Sequence, residues 1–218
     1  MSAVAHIDQY KTGRFYSDEF RGDFSWNGYE HNVLLRSDGV GSGTGLHFTD
    51  IAMAVGADDV FDARGVATAD FDNDGDLDIA INHNAGDHDT PVTPVLLRNN
   101  VGSRRSWLAV ELRGTKSNHD AVGALVRVTT AHGDQVRHVN VGSAYASQQT
   151  TRLYFGLADA AQVEQLWVRW PSGLEETFDD LGARQLVRIT EAGGMEELSL
   201  PKRRTASMAE TSNAGSRD

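Results

Sequence analysis

The sequence predicts an all-β protein, and three observations carry that expectation. Apolar residues recur at every second position in several short runs, glycine-containing turns separate those runs, and only one short stretch has helical character. The 218 residues suffice for a substantial core, either as one large β unit or as two small domains.

In "SWLAVELRG", Leu108, Val110 and Leu112 alternate with Trp107, Ala109 and Glu111. "ALVRVTT" sets Ala124, Val126 and Val128 against Leu125 and Arg127, and "TRLYFGL" puts Leu153, Phe155 and Leu157 on one side. "VEQLWVRWPSG" aligns Leu166, Val168 and Trp170 before a Pro-Ser-Gly turn, and "RQLVRITEA" closes the series. Side chains alternate between the faces of a strand, so each run predicts one buried face. The turn "AHGDQ" (131–135) predicts a hairpin. The helical candidate, "TDIAMAVGA" from Thr49 to Ala57, is long enough for a turn or two.

Composition narrows the function. A net charge of −11 and a pI near 5.1 argue against nucleic acid and anionic lipid as partners. The chain has no cysteine, which rules out disulfides, thiolate metal sites and a cysteine nucleophile. The start, "MSAVAHIDQYKTGRFY", lacks the pattern of a signal peptide, and no apolar run approaches a membrane span, so a soluble chain is expected.

The segment 1–30 gathers Tyr10, Phe15, Tyr16, Phe20, Phe24, Trp26 and Tyr29, 7 of the chain's 17 aromatics. Such apolar area seeks cover, and a strap packed across the body is the expected arrangement. "NVLLRSDG" from Asn32 and "PVLLRNNVG" from Pro94 repeat Val-Leu-Leu-Arg at a spacing of 62, which suggests a repeated β unit. Only one full period fits, whereas a propeller needs roughly four to eight blades. The expected organisation is a strap (1–30), a β unit (31–102), a β-sandwich (103–195) and a disordered tail (196–218), whose small polar run begins at Pro201.

The clearest chemical signal is "GVATADFDNDGDLDIAINHN" (65–84). Asp70, Asp72, Asp74, Gly75 and Asp78 occupy positions one, three, five, six and nine of a D-x-D-x-D-G-x-x-D loop, with Asp76 at seven. Calcium takes 6 to 8 oxygen ligands, and such a loop wraps carboxylates around the ion. By analogy with the EF-hand, Asp76 is expected to offer its main-chain carbonyl. Position twelve is Ile81 rather than Glu, inside the alternation Leu77, Ile79, Ile81, so the loop leads into a strand. A merely solvated turn is the weaker reading, because carboxylates ~4 Å apart repel by about 1 kcal/mol even in bulk water. Ca2+ is therefore the expected cofactor, ahead of magnesium, which accepts fewer protein ligands.

"FTDIAMAVGADDVFDARGVATADFDNDGDLDIAIN" resembles an FG-GAP/VCBS repeat. "GTKSNHDAVGA" (114–124), "GSAYASQ" (142–148), "YFGLADA" (154–160) and "VRWPSG" (168–173) resemble the ASPIC/UnbV domain of the cartilage acidic protein family. The chain departs from that pattern at His119, where the family has a basic residue, and at Ala146, where it has leucine. The resemblance implies an extracellular, cell-surface or, in bacteria, secreted calcium-binding protein, and it brings no catalytic set. A periplasmic location fits the same expectation.

Two functions follow as expectations. One is a binding or adhesion module for a protein or glycan partner, with calcium mainly structural. The other is an enzyme of natural-product metabolism, a cyclase or isomerase whose rings Phe24, Trp26 and Tyr29, with Glu30 and His31, wall a pocket for a small apolar ligand. A fragment of a larger propeller, or a homo-oligomer, is the remaining alternative. "NHNAGDHDT" (82–90) offers His83, Asp87, His88 and Asp89 as a second metal candidate, and His119, Asp120, His138, Ser143 and Tyr145 are acid-base candidates. Structural roles are the commoner outcome for all of these.

Overall fold

A computed structural model describes residues 31–40, 45–59, 63–83, 94–142, 144–145 and 147–200. The described chain is almost entirely β, as expected, with thirteen strands in four sheets. The first sheet is the antiparallel pair β1 (Leu35–Val40) and β2 (Leu46–Asp50). A single helical turn, α1 (Ala52–Val55), follows and ends at Gly56 in the left-handed region, as "TDIAMAVGA" anticipates.

The second sheet joins β3 (Ala63–Ala69), β4 (Asp78–His83) and β5 (Val95–Leu97) in that order, all antiparallel. Its β3–β4 connection is the aspartate loop. The two Val-Leu-Leu-Arg words therefore both lead into strands, β1 and β5, which lie in different sheets.

The remaining strands form the sandwich. One sheet has the order β11 (Glu175–Gly182), β10 (Gln162–Arg169), β7 (Leu125–Thr130), β8 (Gly133–His138). The other has the order β13 (Gly194–Leu198), β12 (Gln185–Thr190), β6 (Ser106–Arg113), β9 (Leu153–Ala158). All pairs are antiparallel except β6 with β12, which run parallel with Leu108 opposite Gln185 and Leu112 opposite Ile189. The period-two pattern explains the core: Leu108, Val110, Phe155, Leu157 and Ile189 of one sheet meet Val126, Val128, Leu166 and Val168 of the other, all fully buried. Each such side chain contributes about 1.5–3 kcal/mol of burial.

Two elements differ from expectation. Residues 196–198 are not tail but the end of β13, and Leu198 and Leu200 pack beside Trp107 and Leu186. Strand β11 carries no long apolar run; Phe178 and Leu181 alone mark its inner side. The expected strap (1–30), including Phe24, Trp26, Tyr29 and Glu30, and the tail from Pro201 lie outside the described residues. No helix among the described residues is long and apolar enough to cross a membrane.

Candidate metal centre

The loop begins where β3 ends at Ala69 and closes at Asp78, the first residue of β4 and the partner of Ala69. Its sharp path uses left-handed backbone at Asn73 (φ 57°) and Gly75 (φ 100°). Gly75 is required twice over, because a Cβ there would lie 2.0 Å from Cε2 of Trp107.

Backbone donors converge on the carboxylates. Asp70 accepts N–H groups of Asp74 (3.0 Å, Oδ1) and Gly75 (3.0 Å, Oδ2). Asp78 accepts those of Phe71 (3.0 Å, Oδ2) and Asn99 (2.8 Å, Oδ1). Asp74 accepts the N–H of Asp76 at 3.2 Å, and Asp76 accepts that of Ser103 at 2.7 Å.

Of the five aspartates, the structure brings together Asp70, Asp72 and Asp78, each with a carboxylate oxygen within 4.8 Å of the others. Asp74 and Asp76 stand outside that group, their carboxylates turned to the backbone donors just named. Burial holds the Asp70 carboxyl above its ordinary value against the Gly75 and Asp74 N–H groups, and the Asp74 charge adds to the rise. Burial likewise raises Asp76, against the donor Ser103 and with the Asp74 charge. Asp72 Oδ1 and Asp76 Oδ1 are buried with no hydrogen-bond partner. Arg98 Nη1 lies 3.6 Å from Asp72 Oδ2.

An acceptor-only carboxylate oxygen that is buried and unpaired is costly. A hard divalent cation answers that deficit better than water donors do, because it offsets two of the three carboxylate charges at once. The donor set is all oxygen, which suits calcium or magnesium rather than a soft metal. The residues present therefore fit a bound divalent ion.

The loop lies on the outer face of the sandwich sheet β9–β6–β12–β13. Trp107, Ala109 and Leu186 are buried there, although strand periodicity points them away from the main core. Tyr154 Oη lies 3.5 Å from Asp70 Oδ2, and Gln149 Oε1 accepts both the N–H (2.6 Å) and the hydroxyl (2.7 Å) of Thr68. Gln149 Nε2 and Ser147 Oγ donate to the carbonyl of Val66 at 3.1 and 2.8 Å. Beyond Tyr154, Glu111 is held between Arg152 and Arg188; burial would raise its pKa, but hydrogen bonds from Arg188 and Arg152 bring it below the ordinary value.

Sequence reasoning missed these supporting residues. Asn99 stands inside the repeated word at Pro94, and Ser147 inside "GSAYASQ", so both lay in singled-out motifs. Glu191 was also missed. Buried, it accepts N–H groups of Thr115, Lys116 and Ser117 at 2.7–2.9 Å and hydroxyls of Ser117 and Ser172. Burial opposes its ionisation, but Ser117, Ser172 and Thr115 outweigh that and bring its pKa down to about 2. The loop "GTKSNHDAVGA" is thereby wrapped round one carboxylate, with Gly114 so close to Asn118 that a Cβ would meet its carbonyl oxygen at 2.1 Å.

The other candidates disperse. His83 is buried with Nε2 3.2 Å from Asp59 Oδ1, while Asp87, His88 and Asp89 lie outside the described residues. His119 pairs with Asp120 at 2.8 Å on the surface, His138 sits opposite Leu125, and Tyr145 is exposed. Ser143 lies outside the described residues. His31 Nδ1 is 2.8 Å from the carbonyl of Asp58.

Comparison with known proteins bears on most of the sandwich. Residues 114–196 match the family model "ASPIC and UnbV". Cartilage acidic protein 1 of Homo sapiens is 35% identical over 113 residues, which covers 50% of this chain and 16% of that protein. The Xenopus tropicalis protein of the same name is 33% identical over 116 residues, covering 51% and 17%. The chain thus spans about a sixth of the length of these curated relatives. The region from Gly114 to Glu196 is thus similar to ASPIC/UnbV domains.

Proposed function

We propose that the chain is a calcium-binding β module, in which an FG-GAP/VCBS-like unit carries the ion on Asp70, Asp72 and Asp78 and is docked on the ASPIC/UnbV domain. The observation that carries this reading is the buried, unpaired Asp72 Oδ1 within a trio of carboxylates. Position seven, Asp76, supplies its main-chain carbonyl, and Asp74, which stands outside the trio, joins only if its carboxylate turns toward the ion. The ion is structural: it neutralises the loop and pins β3 to β4. Extracellular modules bind calcium at about 10⁻⁴–10⁻³ M, so an extracellular or periplasmic site is filled while a cytosolic one is empty. The module then presents its loops to a protein or glycan partner.

Trp107 provides the reporter, because its indole lies against Gly75. Calcium added to chelator-treated protein is expected to change tryptophan fluorescence saturably, and Asp72→Ala to abolish the change. A response that survives Asp72→Ala would place the ion elsewhere.

A further inference from the structure

We propose that the sandwich supplies the outer shell of the ion loop, with Gln149 and Tyr154 as its positioning residues. This rests on the reading that the trio Asp70, Asp72 and Asp78 holds a cation. Metal-binding carboxylates need partners that fix their direction, and losing such a partner weakens binding without removing a ligand. Gln149 acts on the backbone that delivers Asp70. Its amide oxygen takes both donors of Thr68, two residues before Asp70, and its amide nitrogen takes the carbonyl of Val66. A single side chain thus holds the final turn of β3 as a neighbouring strand would. Tyr154 acts on the ligand itself, its hydroxyl 3.5 Å from Asp70 Oδ2 and its ring packed on the Trp107 cluster.

Both residues belong to the segment 147–154 that leads into and opens β9, so the sandwich positions the loop through one stretch of chain. The backbone of Ser103, just before β6, fixes Asp76 from the same side. Coupling between sites is reciprocal. If docking on the sandwich orients the ligands, then the ion in turn tightens docking of the β3–β4 unit.

Calorimetric titration of calcium chloride into the chelator-treated full chain tests this below the unfolding transition. Gln149→Ala is expected to weaken calcium binding about 10-fold, the low end for outer-shell partners, and Tyr154→Phe to weaken it by less. Ile189→Val, a core change remote from the loop, lowers stability and serves as the control that leaves Kd unchanged. If Gln149→Ala and Tyr154→Phe both bind calcium as the unaltered chain does, while Asp72→Ala does not bind, the inference is overturned and the ion site stands. Absence of calcium binding by the unaltered chain overturns both.

Discussion

The sandwich and the β1–β2 hairpin use similar apolar residues to opposite effect. In the sandwich, Leu108, Val126, Phe155 and Leu166 keep no exposed surface, and two four-stranded sheets shield one another. In the hairpin, Leu35, Leu46 and Phe48 lie on one face, with Val33 just before β1, and each keeps more than half of its surface exposed. The opposite hairpin face is polar, with Arg36 bonded to Asp38 and Asp38 to Thr49. Two strands cannot enclose a core, and an isolated hairpin is marginal in water. The aspartate loop stands between these extremes, ordered by backbone donors and by the sandwich beneath it. Among the described residues, burial is therefore concentrated from Ser106 onward, and the aspartate loop rests against it.

The largest effect that sharpens this contrast is expected from Phe155→Ala. Removing a fully buried ring between the sheets costs about 3–5 kcal/mol, and urea unfolding should show the loss equally with and without calcium. A loss below about 1 kcal/mol would mean that the sandwich is not the stable body.

Next comes Glu191→Gln, expected to cost about 2–3 kcal/mol near neutral pH, because charge-assisted bonds to the 115–117 backbone are lost. The pH dependence has a definite sign. A carboxyl lowered from 4.5 to about 2 contributes its stability above pH 4.5 and loses it as pH falls toward 2. Acid unfolding curves of the unaltered chain should fall across that window, and those of Glu191→Gln should be flatter there.

A smaller effect is expected from Asp72→Ala in chelator. Removing one of three clustered carboxylates relieves repulsion of about 1 kcal/mol, so the ion-free variant should melt no lower than the unaltered chain. A marked drop in its melting temperature would show that Asp72 holds the loop by itself. The smallest effect belongs to the hairpin: Phe48→Ser should stay within about 0.5 kcal/mol, since the ring is exposed among the described residues. A loss of several kcal/mol would reveal cover for that face.

The sandwich core was legible because strand period and burial coincide: Leu108, Val110 and Leu112 alternate, and only one face is enclosed. The aspartate loop was legible because its spacing has few other uses. Burial of Trp107 and Ala109 was not, since alternation assigns them outward, onto a face that Gly75, Tyr154, Leu198 and Leu200 cover. Nor was β13, where Met195, Glu196 and Glu197 are all exposed and backbone pairing with β12 is joined only at the strand's end by the packing of Leu198. That the Asp76 carboxylate turns to the N–H of Ser103 was equally hidden, because that donor comes from a distant turn. Glu191 reads in sequence as one acid after a strand; its cage is assembled from Ser172 and from the distant backbone of Thr115, Lys116 and Ser117.

The most direct measurement is thermal unfolding of the chelated full chain, titrated in parallel with calcium and with magnesium. A calcium-selective rise in Tm is expected, corresponding to about 2.7 kcal/mol when free ion reaches 100 times Kd. No rise with either ion would contradict a metal centre at Asp70, Asp72 and Asp78, and the loop would then be an acidic turn held by its own backbone.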